Sequence, residues 1–220
     1  MKIKYLIKFT SKCEYAQDLM NGKLFMNQAD FFHNIENGQG DVREATFSNT
    51  SMAYIGANNP IYCIYIVYNS QIIDNKIAID NRIIEDFNAK YAVIVDYDSF
   101  IERLSNKELI TNYAISFGPV SYRVLSIDDS KEMLLGKKSA LFYKHPYFSY
   151  QQEFRITVHE GLGCITRKIE LDGEIVELLY EYKNKIYFLE NNLDGIARII
   201  NIQYCNKLKD KIYIDLNLGR

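Results

Sequence analysis

The sequence contains no tryptophan, only three prolines and three histidines, and no long apolar run. No apolar stretch reaches the roughly 18 residues that a membrane-spanning helix needs, so the composition excludes a membrane protein. The three histidines are His33, His145 and His159, which argues against a histidine-rich metal site. The scarcity of proline, with no Ser-rich stretch, leaves no recognisable linker between domains.

Cysteine is also scarce, and its spacing excludes two further classes of protein. The four cysteines form no Cys-x-x-Cys pair, so zinc-ribbon and redox motifs are absent. A chain of 220 residues can fold without disulfides, and we expect free thiols in a reducing compartment. The first residues also lack the apolar region of a signal peptide. The sequence therefore predicts a cytoplasmic protein.

Neither sign of charge dominates. Twenty-six basic side chains face 28 acidic ones, which leaves a net charge of −2. No global positive field exists to capture nucleic acid, and this argues against a long nucleic acid as a partner. The 18 tyrosines and 12 phenylalanines do provide many rings on which a nucleotide base can stack.

The pattern of residues predicts many short strands and a few short helices. Residues 61–68, rich in β-branched and aromatic side chains, give the strongest strand signal. Ser11 and Glu14 have the spacing of a capping box that opens a helix, and Gly22 would close it. Strands and helices do not alternate regularly. We therefore predict an α+β fold with one or two mixed, largely antiparallel sheets. We expect one domain over residues 1–220, with a β-rich C-terminal subregion from about residue 160.

Two early segments carry residues that suit a ligand site. In residues 37–44, glycines precede Asp41, Arg43 and Glu44, and such a loop can hold ligand hydroxyls or a metal. The alternative is an ordinary turn that Asp41 caps. Residues 47–51 end in Thr50 and Ser51, whose hydroxyls can bond to a nucleotide, although an ordinary polar strand or loop explains them as well.

A later segment, residues 144–156, places Glu153 at the start of a strand, directly after an aromatic loop. Arg155 lies on the same face of that strand, because side chains alternate. A carboxylate at this position can orient a sugar hydroxyl, and Tyr147 or Tyr150 can stack on a base. The alternative is a Glu153–Arg155 surface pair that contributes little.

The order of these segments resembles a broad, poorly characterised prokaryotic family of small proteins. Its hallmarks are an early Asn/Gly-Asp-Pro-x-Glu box and a late Lys…Glu-aromatic-Arg strand. The matching residues here are Gly40, Asp41, Glu44, Lys144, Glu153, Phe154 and Arg155, with Val42 in place of the proline. Many such proteins occur in phage, prophage and defence settings, so the resemblance implies a role there.

The chain also resembles ADP-ribosyltransferases of the arginine–serine–glutamate type. These carry an early-strand arginine, a Ser-Thr-Ser strand and a Gln/Glu-x-Glu box, and this chain has residues 48–51 and 151–153 in that order. The resemblance implies an ADP-ribosyltransferase-like core with NAD as the substrate. Glu153 would then orient the nicotinamide ribose, Gln151 would position the acceptor, and Ser51 or Thr50 would support Glu153. The expected arginine is missing, and the first strand offers only Lys2, Lys4 and Lys8.

These observations lead to one hypothesis and two alternatives. The hypothesis is a nucleotide-binding protein that transfers ADP-ribose from NAD or hydrolyses NAD, with a composite site of Asp41, Arg43, Glu44, Glu153 and Arg155. The first alternative is a non-catalytic binding protein in phage–host conflict, which sequesters a nucleotide or engages a protein partner. The second is a nuclease in which Asp41, Glu44 and Glu153 hold Mg²⁺.

Overall fold

The computed structural model describes residues 1–34, 59–105, 114–134, 139–159, 166–171, 174–179, 185–189 and 192–217. These residues form antiparallel sheets and short helices, which confirms the predicted α+β class. A short parallel pair between Ser121–Tyr122 and Tyr143–Lys144 makes the arrangement mixed, as expected. None of the helices in these ranges is long and apolar enough to cross a membrane.

In chain order, the strands are β1 (Ile3–Thr10), β2 (Lys23–Gln28), β3 (Pro60–Tyr68), β4 (Ile72–Ile73), β5 (Lys76–Asp80), β6 (Tyr91–Asp96), β7 (Ala114–Pro119), β8 (Ser121–Tyr122), β9 (Tyr143–Lys144), β10 (Glu153–His159), β11 (Thr166–Leu171), β12 (Glu174–Leu179), β13 (Lys185–Phe188), β14 (Ala197–Asn201), β15 (Asn206–Leu208) and β16 (Lys211–Asp215). The α-helices are α1 (Cys13–Met20), α2 (Asn81–Asp86), α3 (Tyr97–Leu104) and α4 (Ile127–Leu134), and 3-10 helices cover Ala29–Asn34, Asn69–Gln71, Ala140–Phe142, Pro146–Gln151 and Ile202–Tyr204.

The main sheet has the strand order β13-β2-β3-β1-β6-β14, and β10 joins β3 to β7. Strand β3 therefore has three neighbours. It pairs with β10 over Ile61 to Tyr65, with β1 from Tyr65 onward, and with β2 only at Pro60 and Ile61. Because β10 overlaps both other partners, β1 and β2 lie on the opposite edge of β3. Between Ile61 and Tyr65 that edge is paired with neither of them, which leaves a split in the sheet as far as the described strands go.

Each face of the main sheet has its own hydrophobic core. Helices α1 and α3 cover one face, where Leu6, Phe100 and Phe154 are buried. The other face packs against α2 and a four-stranded sheet of order β15-β16-β5-β4, and its core includes Ile79 and Ile212. The C-terminal strands β13, β14 and β16 thus pair with strands from the first half of the chain.

The helix ends test the capping predictions. Helix α1 begins at Cys13 with Lys12 at the N-cap and no side-chain cap, so the predicted Ser11–Glu14 capping box is wrong. Gly22 has a φ of +79°, and a left-handed conformation of this kind favours glycine after a helix. At α2, the Asp80 carboxylate accepts a hydrogen bond from the Arg82 N–H, as an N-cap should.

Candidate functional site

The backbone around Glu153 is held from three sides. The 3-10 helix Pro146–Gln151 is followed by its C-cap Gln152, whose φ of +39° turns the chain into β10. The carbonyl oxygen of Gln152 accepts a 2.7 Å hydrogen bond from the Ile66 N–H. The Glu153 N–H donates to the Tyr122 hydroxyl at 2.8 Å, and its carbonyl oxygen accepts from the Val120 N–H at 2.8 Å. The Glu153 side chain therefore starts from a well-defined backbone position.

Glu153 lies between two buried cations. Lys144 Nζ is 2.8 Å from Glu153 Oε1, and Arg155 Nε is 2.8 Å from Glu153 Oε2. Lys144 also donates to Gln151 Oε1 at 2.7 Å, and Arg155 Nη1 donates to the Leu141 carbonyl oxygen at 2.6 Å. Glu153 is 6% exposed and Arg155 only 1%, so the predicted alternative of a surface pair is wrong. We call Lys144, Glu153 and Arg155 the buried charge cluster.

The charge state of Glu153 follows from this geometry. Burial raises the pKa of the carboxyl, but the charges and hydrogen bonds of Arg155 and Lys144 outweigh burial and lower the pKa to about 2. Glu153 is therefore ionised at neutral pH.

A cavity of about 330 Å³, counting its open mouth, lies beside Glu153 at the split between β1 and β3. Apolar and aromatic side chains form most of its wall, from β1, β3, α2 and the residue after α2: Ile7, Phe9, Ile64, Tyr65, Ile83 and Phe87. The remaining lining residues are Lys8, Cys63, Gln151 and Glu153. A mostly apolar cavity with a few convergent polar groups is typical of a small-molecule site.

Lys8 bridges the split in the sheet. Its Nζ donates to the Cys63 carbonyl oxygen at 2.7 Å and lies 4.3 Å from the centre of the Tyr62 ring. Lys8 makes no ion pair within the described parts of the chain. Burial lowers the pKa of the Lys8 amine, and the electrostatic influence of Cys63 and Glu153 opposes this only in part. Burial also raises the pKa of the Cys63 thiol to about 12, so that thiol stays protonated.

The structure brings together only part of the predicted site. Gln151, Glu153 and Arg155 are neighbours, as the spacing suggested. Tyr147 is 68% exposed, and the Tyr150 ring is stacked under the Arg82 guanidinium, 4.0 Å from the ring centre. Neither tyrosine lines the cavity, so a base bound there would not stack on them. The remaining predicted site residues lie outside the described residues: Asp41, Arg43, Glu44, Thr50 and Ser51.

Lys8 and Lys144 belong to the site but were not predicted to be ligand-binding or catalytic residues. Lys8 did carry a signal, because it interrupts the apolar part of β1 between Ile7 and Phe9, both of which are buried. Strand β1 pairs on both of its edges and is therefore an inner strand of the sheet. A lysine on an inner strand needs a polar partner for its amine, so its position indicates a specific hydrogen bond. Lys144 was named only as a residue of the late Lys…Glu-aromatic-Arg strand. Its immediate neighbours carry no signal for the contact to Glu153, because that contact depends on how the chain folds back.

No family model, no curated protein and no solved structure matches the chain. The chemistry of the cavity and its residues is therefore the basis for assigning a function.

Proposed function

We propose that the protein binds a nucleotide in the cavity beside Glu153, and that NAD is the nucleotide it acts on. One observation carries the proposal: Lys8 from the first strand and Glu153 from the tenth line the same cavity. An amine-bearing residue and a carboxylate-bearing residue that are far apart in the sequence thus meet at one mostly apolar cavity, as at a small-molecule site.

The lining groups complement the parts of a nucleotide. A bound phosphate would keep the Lys8 amine protonated and pair with it, and the rings of Phe9, Tyr65 and Phe87 suit a base. The Glu153 carboxylate suits a ribose hydroxyl, because a carboxylate has about four acceptor positions and the two cations occupy one on each oxygen. Gln151 adds an amide to the same wall.

The resemblance to ADP-ribosyltransferases supports NAD as the first nucleotide to test. In that pattern an early-strand cation and a late-strand glutamate act on one substrate, and Lys8 and Glu153 stand in those positions. Lysine provides a point charge and not the bidentate grip of arginine, which argues for a looser hold on a diphosphate. With NAD bound, the ionised Glu153 would favour the positive charge that develops on the ribose as nicotinamide leaves.

A non-catalytic binding protein is the second candidate, and the buried charge cluster favours it. Lys144 and Arg155 already neutralise the carboxylate of Glu153, which reduces the stabilisation it can offer to a cationic transition state. In that case the cavity would sequester a nucleotide without consuming it.

The Mg²⁺-dependent nuclease stays a prediction, because Asp41 and Glu44 lie outside the described residues. Within those residues, no group of three or more His, Cys, Asp or Glu is placed to hold a metal ion.

Thermal unfolding with AMP, ADP-ribose or NAD tests the binding proposal. A ligand at about a hundred times its Kd stabilises the native state by about 2.7 kcal/mol, which is readily seen as a rise in Tm. We expect such a rise for the wild type and a reduced one for Lys8→Met. Lys4→Met is the matched control, because Lys4 lies on the same strand but pairs with Asp96 at 3.0 Å and does not line the cavity. Unchanged Tm values with all three nucleotides would overturn the proposal.

A second measurement separates catalysis from sequestration. The concentration of NAD is followed by chromatography with the wild type and with Glu153→Asp, which keeps the charge but withdraws the carboxylate by one methylene group. Loss of NAD that depends on Glu153 supports the transferase or hydrolase. Binding of NAD without its consumption supports the non-catalytic protein.

A further inference from the structure

Lys8 differs from Lys4, its neighbour on the same strand. Lys4 is fixed by an ion pair to Asp96, whereas Lys8 Nζ is held by a neutral carbonyl oxygen, that of Cys63, at 2.7 Å. The Asp96 hydrogen bond raises the pKa of Lys4, while burial lowers the pKa of Lys8. Two lysines on one strand thus have opposite environments, and of the two only Lys8 lines the cavity.

We propose that Lys8 is a nucleophilic lysine that forms a Schiff base with a small hydroxyaldehyde or hydroxyketone bound in this cavity. This activity goes beyond nucleotide binding and does not depend on it. A lysine in a desolvated, largely apolar pocket is the setting in which an amine acts as a nucleophile at neutral pH, because the charged form is disfavoured there.

The other polar lining groups suit such a ligand. The Glu153 carboxylate can accept a hydrogen bond from a hydroxyl beside the carbonyl, and the Gln151 amide lies on the same wall. Glu153 also influences the Lys8 ammonium electrostatically, and it would favour the positive iminium in the same way. A ligand without hydroxyl groups would leave these polar groups without a partner from the ligand.

The reaction needs no co-reactant. The neutral Lys8 nitrogen attacks the carbonyl carbon, an N–C bond forms, and the carbonyl π electrons move to oxygen. The nitrogen then gives up both of its hydrogens, and they leave with the carbonyl oxygen as water, so that a C=N bond remains. The imine takes one proton from solvent to become the iminium.

Trapping with sodium cyanoborohydride tests the proposal. The hydride converts the imine into a stable secondary amine, and peptide mapping by mass spectrometry then reports the labelling of each lysine over time. In the wild type with glyceraldehyde at neutral pH, we expect Lys8 to be labelled several-fold faster than Lys4. The comparison is made within one folded protein, so it does not depend on a variant that folds. Labelling of Lys8 at or below the rate of Lys4 would overturn the proposal.

Two controls define the ligand class and separate this proposal from nucleotide binding. Propanal lacks the hydroxyl groups of glyceraldehyde. When propanal replaces glyceraldehyde, we expect the ratio of Lys8 to Lys4 labelling to fall. An unchanged ratio would refute the preference for hydroxylated ligands. Lys8→Arg, checked for its fold by circular dichroism, should lose the Lys8 adduct and keep the Lys4 adduct. All labelling is done without nucleotide, so the two proposals are tested separately. If Lys8 is reactive but no nucleotide raises the Tm, only the nucleotide proposal is refuted. If a nucleotide raises the Tm but Lys8 is unreactive, only the Schiff-base proposal is refuted.

Discussion

Replacement of Glu153 by Gln should destabilise the protein strongly, because it removes the anion between two buried cations. Each carboxylate oxygen accepts one charge-assisted hydrogen bond of 2.8 Å, from Lys144 or from Arg155. Such bonds contribute about 1.5–3 kcal/mol each, and breaking a buried ion pair costs about 3–5 kcal/mol. Gln keeps the size of the side chain, so no cavity term is added, and its one oxygen can still accept a bond. We therefore expect a loss of about 3 kcal/mol in the free energy of unfolding.

Urea unfolding monitored by far-ultraviolet circular dichroism measures this loss, and an unchanged m-value would show that the two states stay comparable. Asp128→Asn is the matched control, because it removes a carboxylate that pairs with Lys131 at the surface, where the Asp128 side chain is 88% exposed. We expect the control to unfold like the wild type. A loss below about 1 kcal/mol for Glu153→Gln would refute the reasoning, because that is the range of exposed ion pairs.

The same cluster predicts a pH dependence with a definite sign. The folded-state pKa of Glu153 lies at about 2, below the ordinary value of 4.5, so its stabilisation is fully present above about pH 4.5. It is lost progressively as the pH falls toward 2. The wild type should therefore lose its advantage over Glu153→Gln in this acid window, as measured by urea unfolding at a series of pH values. A difference between the two proteins that stays constant from pH 5 to about 2 would contradict the assignment.

Two further substitutions test the packing and capping of the fold by urea unfolding. Phe100→Ala should lower the free energy of unfolding by about 3–5 kcal/mol, because Phe100 on α3 is fully buried against the main sheet. Tyr204→Ala, at an 81% exposed side chain, should change it by less than about 0.5 kcal/mol. Similar losses for the two would mean that Phe100 is not a core residue. Asp80→Ala should lower the free energy of unfolding by about 0.5–2 kcal/mol, because it removes the N-cap of α2. Asp80→Asn should retain most of this stabilisation, because Asn is also a good N-cap. Equal losses for the two variants would argue against capping.

Local patterns predicted the parts of the structure that depend on neighbours in sequence. The β-branched and aromatic residues 61–68 do form a strand, β3 at Pro60–Tyr68, because such side chains fit a pleated and buried surface. Arg155 lies on the Glu153 face of β10 and bonds to it, because successive side chains on a strand point in opposite directions. The capping box failed because α1 begins one residue later than predicted: with Lys12 at the N-cap, Glu14 stands at N2 and not at the N3 position that a capping box needs.

The cavity depends on contacts that no local pattern contains. Alternation places Glu153 and Arg155 on one face, but it does not say whether that face meets solvent or protein. That was decided by the pairing of β10 with β3 and by Lys144 folding back onto Glu153, which together bury the charge cluster.

The sequence by itself determined the class of fold, the strand at residues 61–68 and the placement of Glu153 and Arg155 on one face of a strand. These follow from composition, from the period of the apolar residues and from the position of Glu153 at the start of a strand. Only the tertiary structure decided that Lys8 and Glu153 line one cavity. Neither β1 nor β2 pairs with β3 between Ile61 and Tyr65, and Lys8 reaches across this split to the Cys63 carbonyl oxygen. Strand registers are set by the burial of whole faces at once, and this long-range energy has no signature in any short segment.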